Sequence, residues 1–244
     1  MVTSTSLVKR NDFSILKNHC VFYFRLIGVW YKMSKFEWRK QLKELYLPKK
    51  QPAVIEVPTM NYLTIEGRGN PNSDLFREKI ETLYSLSYGI RMLPKKGITP
   101  EGYFEYTVFP LEGVWDLDEE GRTLDYVSKD HFVYKLMIRQ PDFVTKELVD
   151  SVLEMVKQKK PDLQLDNSKF ERIEEGLCVQ AMHNGSYENE PQTFALMEEF
   201  CTQNNLKRVE KTHKEIYITD VRKTSPEKLK TVLRFKVTEN ITSF

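Results

Sequence analysis

Cysteine is scarce in this chain: three among 244 residues, at Cys20, Cys178 and Cys201. They are odd in number and far apart, which excludes a disulfide framework, a CxxC zinc site and a CxxC redox pair. The four histidines, His19, His131, His183 and His213, show no i,i+4 pairing that would set two metal ligands on one helix face. No metal and no cofactor are expected, and a reducing, cytoplasmic setting fits the thiols. Excess charge of one sign is also missing. Lys and Arg number 37 against 35 Asp and Glu, interspersed to a net charge of +2. Such a surface projects no broad field toward a phosphate backbone, so no nucleic-acid partner is expected. Long apolar runs are absent too. The best, Cys20–Trp30, holds Arg25 and is about half the length that spans a bilayer, so no membrane partner is expected. No serine sits in a GxSxG elbow, and Gly67-Arg68-Gly69-Asn70 lacks the lysine and the length of a phosphate loop.

What is present is ordinary globular material: 40% hydrophobic and 12% aromatic residues. A chain of this length buries roughly 70% of its unfolded surface and folds without staples. Residues 1–32 stand apart. Lys9, Arg10 and Lys17 precede the apolar run, but no small-residue cleavage site follows it. The segment reads as an N-terminal extension with no fold of its own, Met33 as the working start, and residues 33–244 as the domain. Nothing in the sequence speaks to oligomeric state.

The domain repeats one order of elements. From Val54 it runs strand, polar turn, amphipathic helix and two strands, and from Phe170 the same order returns. Apolar spacing at Phe36, Trp38, Leu42, Leu45 and Tyr46 predicts a short lead-in helix, ended by Pro48 and Pro52. In the first half, about 52–160, a β segment over Val54–Ile65 is broken by Pro58. Ser73 and Asp74 cap a helix with Leu75, Phe76, Ile80, Leu83, Tyr84 and Leu86 on one face. The aromatic run Tyr103, Phe104, Tyr106 and Phe109 reads as strand, and a second helix opens near Thr145 and stops at Pro161. In the second half, about 163–238, Tyr187–Pro191 leads into a helix with Phe194, Met197 and Phe200 inward, ended at Asn204-Asn205. The fold class is α+β: a tandem β-α-β-β repeat, pseudo-twofold antiparallel sheets joined edge to edge, with helices enclosing a central ligand cavity.

Two segments carry candidate chemistry. In Pro110–Trp115 a glycine stands between a carboxylate and a Trp, a bulge-like spot that aims Glu112 and Trp115 into a cavity; a solvated Glu and a core Trp is the alternative. In His213–Asp220, alternation sets His213, Glu215, Tyr217 and Thr219 on one face and Ile216 and Ile218 on the other. The Ile face is core; the polar face is solvent or the wall of a pocket, where burial raises the proton affinity of Glu215. Tyr106 and Tyr134 are candidate aromatic walls, although Tyr134 also alternates with core residues. His183, before Asn184-Gly185, reads as a turn residue.

At PLEGVW (Pro110–Trp115), FVYKLMIRQPDFVT (Phe132–Thr145) and HKEIYITDVRKTSPEKLKTVLRFKV (His213–Val237) the chain resembles the GyrI-like small-molecule-binding family. Tyr217, Asp220, Arg222, Pro226, Leu229 and Thr231 stand where the resemblance expects them, and none of it touches residues 1–32. It implies paired β-α-β-β modules around a cavity in which a carboxylate and aromatic rings hold planar, often cationic molecules. The chain has no helix-turn-helix segment long enough for DNA binding, so it is similar to stand-alone members. Some of these hydrolyse the cyclopropane of DNA-alkylating cyclopropanoid compounds and so protect the cell. Asp116 departs from the pattern, where many such members carry a second Trp. The roles implied are Glu112 or Glu215 activating a water, Tyr217 donating to the substrate oxygen, and Trp115, Tyr134, Tyr106 and His213 holding the ligand. The rival is a drug-binding, sequestering or sensing module without turnover.

Overall fold

The strand signal at Val54–Ile65 resolves into two strands with different neighbours, and this decides the architecture. The computed structural model describes residues 25–26, 29–30 and 35–240. The extension expected over residues 1–32 lies largely outside them; Arg25–Leu26 (β1) and Val29–Trp30 (β2) pair antiparallel. The lead-in segment forms two single turns, Trp38–Gln41 (α1) and Lys43–Tyr46 (α2), instead of one helix, because Leu42 leaves the helical region at φ −124°. Tertiary bonds fix both turns: the Trp38 indole N–H donates to the Val108 carbonyl at 3.0 Å, and the Tyr46 hydroxyl reaches Glu112 at 3.4 Å.

The strands are Ala53–Val57 (β3), Met60–Arg68 (β4), Leu111–Leu117 (β5), Phe132–Gln140 (β6), Ser168–Ile173 (β7), Gly176–Asn184 (β8), Leu206–Arg208 (β9), His213–Tyr217 (β10) and Lys230–Glu239 (β11). They form one open sheet in the order β3-β8-β11-β10-β5-β6-β4-β7, with β9 beside β11. Every ladder is antiparallel. The helices are Asp74–Arg91 (α3), Lys146–Lys159 (α4) and Glu190–Gln203 (α5). The repeat is therefore β4-α3-β5-β6 followed by β8-α5-β10-β11, and the halves meet where β5 pairs with β10.

The lead strands are exchanged between the halves. β3 precedes β4 in the chain but pairs with β8, and β7 precedes β8 but pairs with β4. The breaks have local causes. Pro58 has no N–H for a ladder, and Gly176 takes φ +67°, a conformation that costs an L side chain.

Caps fall where the polar residues predict them. The Ser73 hydroxyl accepts from the Phe76 N–H at 3.3 Å, and Thr145 accepts from Leu148 at 3.3 Å. Asn205 ends the α5 region at φ +54°. Leu83, Leu86 and Ile90 of α3 are fully buried, and Met197 and Cys201 of α5 pack on Val179, Ala181, Leu233 and Phe235. One strand prediction is corrected: Tyr103–Pro110 is irregular, and β5 begins at Leu111. There Tyr106 makes a single parallel bridge to Phe36, and its ring packs with Phe104 and Phe143.

Candidate functional site

Residues opposite each other in an antiparallel ladder share a face, so register alone assigns the seam between the halves. Glu215 faces Gly113 and His213 faces Trp115 on the helix-covered side of the sheet. Between α3 and α5, on that side, lies a cavity of about 1890 Å³. Trp115, His213, Glu215 and Tyr217 line its floor. Phe76, Ile80, Tyr84 and Tyr88 of α3 form one wall, and Tyr187, Glu190 and Phe194 the other.

The floor is tightly bonded. The Trp115 indole N–H donates to the Tyr217 hydroxyl at 2.8 Å, which leaves the phenolic hydrogen for the neighbouring Glu215 carboxylate or a ligand. Gly113 makes this possible: a Cβ there would stand 2.8 Å from the indole nitrogen and 3.3 Å from the Tyr217 oxygen. His213 Nε2 lies 3.1 Å from Glu215, and the imidazole meets the Phe194 ring edge-on at 4.8 Å.

The opposite wall lowers a second carboxyl over the first. Glu190 is the first residue of α5, 8% exposed, and its Oε1 has no hydrogen-bond partner. A helix N-terminus favours the ionised form by only about 0.3–1 kcal/mol. Burial, with the Glu215 charge next, outweighs that and pushes Glu190 from 4.5 up to about 9. At neutral pH Glu190 is thus a proton donor. Burial and the neighbouring Glu215 hold the Tyr217 phenol well above its ordinary value. Burial, Glu215 and Glu190 push Tyr187 up to about 12. Among the described residues no cluster of histidine, cysteine and acidic side chains could hold a metal ion, and no helix is long and apolar enough to cross a membrane.

A family profile described as the GyrI-like small molecule binding domain matches residues 50–238. The chain belongs to the GyrI-like family. Its fold is similar to the crystal structure of an uncharacterized conserved protein from Listeria innocua, 37% identical with TM-score 0.79, over 84% of this chain and 100% of that one. It is also similar to the crystal structure of a hydrolase from Listeria innocua, 36% identical with TM-score 0.77, over 84% and 100% of the two chains. No curated protein sequence matches the chain.

The residues singled out from sequence divide around the GyrI-like cavity. Trp115, His213, Glu215 and Tyr217 line it together. Tyr134 stands one layer behind, its ring 5.2 Å from Trp115 and 5.0 Å from Phe76. Tyr106 lies in the aromatic cluster with Phe104 and Phe143 and does not reach the lining. Glu112 is on the other face of β5, because Gly113 is an unbulged ladder residue and alternation is unbroken from Leu111 to Leu117. Its carboxylate is 1% exposed and accepts from Lys214 at 3.0 Å. Lys214 also holds Glu175 at 2.6 Å, and Arg234 donates to Gln180 and to the Leu45 carbonyl. This buried network ties β5, β10, β11 and β8 together behind the floor. Sequence reading missed Glu190, Tyr187 and Phe76. The repeat held the signal: Phe76 and Glu190 both sit in the first turn of the helix in their copy, so a pseudo-twofold pair brings both helix starts over the seam.

Proposed function

We propose that the cavity binds planar hydrophobic or cationic small molecules and hydrolyses the cyclopropane of DNA-alkylating cyclopropanoid compounds. One observation carries this reading: Glu190 from one wall and Glu215 from the floor meet in an aromatic cavity, and burial holds the proton on Glu190. Two carboxyls in unlike surroundings can divide the roles of acid and base between them. A flat substrate stacks on Trp115 and the neighbouring tyrosines, each ring contributing about 1 kcal/mol. The Glu215 carboxylate, held by His213, takes a proton from a water whose oxygen bonds to the cyclopropyl methylene. The ring C–C bond breaks, its electron pair moves to the dienone oxygen, and that oxygen receives a proton from Glu190 while Tyr217 donates a hydrogen bond to it. The net change is the addition of one water. The 36% identical Listeria innocua hydrolase supports an enzymatic member of this fold.

A second reading rests on the same carboxyls. No lysine or arginine pairs with Glu190 or Glu215 among the described residues, so a lipophilic cation bound there without turnover would satisfy both. Incubating the full chain with a cyclopropanoid alkylator and following products by mass spectrometry separates the two. Many water-added products per protein establish the hydrolase; tight binding with unchanged compound leaves the binding module; neither result removes both readings.

A further inference from the structure

One imidazole fastens both ends of the short segment that carries Tyr187 and Glu190. His183, near the end of β8, is 3% exposed and lies outside the cavity lining. Its Nε2 is 3.0 Å from the Ser186 carbonyl, and its Nδ1 is 2.8 Å from the Thr193 hydroxyl. A carbonyl can only accept, so Nε2 carries the hydrogen and donates, while Nδ1 pairs with the Thr193 hydroxyl, which can donate or accept. Ser186 opens the turn Tyr187–Asn189, and Thr193 stands one helical turn beyond Glu190. Gly185, at φ +130°, folds the chain back so that the Ser186 carbonyl can reach the ring. Of the other bonds here, Glu188 N–H to the Ser186 hydroxyl and Asn189 N–H to the Ser186 carbonyl are internal to the turn, and the Gly185 N–H before it donates to the Leu229 carbonyl at 3.0 Å. The internal bonds shape the turn, and beyond its start the Tyr187 ring meets Tyr217 of β10 edge-on at 6.2 Å, but neither reaches the first turn of α5 as the imidazole does.

The segment needs fixing. Glu190 is held out of water beside a second carboxyl, Glu215 from β10, with Tyr187 of its own turn as the other titratable neighbour. A loosened α5 start would let the carboxyl swing into water and regain its hydration, so its position must be imposed from outside. We propose that His183 is the positioning residue for this wall, holding Tyr187 and Glu190 over Glu215 without touching a ligand. The proposal deepens the functional reading above and rests on its carboxyl pair.

The test uses the full, ligand-free chain with 13C-labelled glutamate carboxyls. The Glu190 signal is assigned by its loss in Glu190→Gln and followed through a pH titration. Thr193→Ser keeps the hydroxyl, Thr193→Val deletes it at nearly constant shape, and His183→Phe deletes both bonds but keeps a ring. The unaltered protein and Thr193→Ser should titrate alike, far above the ordinary carboxyl range. Thr193→Val should lower the midpoint by about one pH unit, the scatter typical of folded-protein carboxyls, and His183→Phe should lower it further. If both variants melt earlier while the Glu190 midpoint stays put, His183 is merely structural and the proposal is overturned. Should His183→Phe not fold, the Val and Ser variants decide alone. An ordinary midpoint in the unaltered protein would be a different failure, removing the carboxyl pair and the clamp with it.

Discussion

At the scale of single residues, two carboxyls on adjacent strands have opposite fates. Glu215 lines the cavity, whereas Glu112, paired one position along the seam, is locked to Lys214 behind it. Glu215→Gln should keep the fold and lower turnover about 10²–10⁴-fold, the range of general acid–base catalysis. Turnover at the level of the unaltered protein would remove Glu215 from the site. Glu112→Gln should instead leave ligand affinity within about twofold while costing up to about 3–5 kcal/mol, since it strips a partner from a buried lysine. Urea unfolding, with binding of a flat dye cation such as ethidium, separates the two outcomes. The side of β10 that Glu215 takes was legible in sequence because strand alternation needs only local pattern. Glu112 was misread because the order Glu-Gly-Trp suggests a bulge, while only the neighbouring strands reveal an unbroken ladder. Glu190 gave no local signal, since its burial is created by another element. Its pH signature follows from sign. The folded-state value lies above the usual 4.5, so the folded chain holds a proton that the unfolded chain has lost between 4.5 and about 9. Stability present below that window should fall as pH rises through it. Glu190→Gln should flatten this fall in melting curves taken at about pH 5 and pH 8, and an unchanged slope would show that Glu190 ionises normally.

At the scale of elements, caps and helix faces were readable because Ser73, Thr145 and the buried stripes act within a turn or two. The seam is set by contacts far apart in sequence, and Gly113 is its tightest point. Indole, phenol and the Leu136 side chain occupy the space a Cβ would take. Gly113→Ala must push Trp115 or Tyr217 aside, breaking the 2.8 Å bond between them at a cost of about 1–3 kcal/mol. The expected outcome is a folded protein with shifted Trp fluorescence and weakened ligand binding. Unaltered fluorescence and affinity would mean that the floor tolerates a methyl group there and that the bond is dispensable. The aromatic run before Leu111 shows the reverse limit. Tyr103, Phe104 and Tyr106 have strand propensity, yet their rings are used in a cluster with Phe143 that ladder alternation would not allow.

At the scale of the whole molecule, the repeat was visible in sequence but the exchange of lead strands was not. Strand propensity is the same whichever neighbour a strand takes, and only the breaks at Pro58 and Gly176 hint that the partner changes. The exchange has a consequence for folding. A fragment ending at about residue 160 would contain β3 without β8, and β4 without β7, and would bare the β5 edge that β10 covers. Three unpaired edges and an uncovered network around Glu112 leave such a half with too little burial to offset its chain entropy. Neither half, about 52–160 or 163–238, should therefore fold alone. Mixed together they should reconstitute the sheet, and the intact chain should unfold in one transition seen alike by far-ultraviolet circular dichroism and Trp fluorescence. A separately folded half, or two transitions in the intact chain, would mean that the exchanged strands contribute little and that the cavity lies between two independent modules.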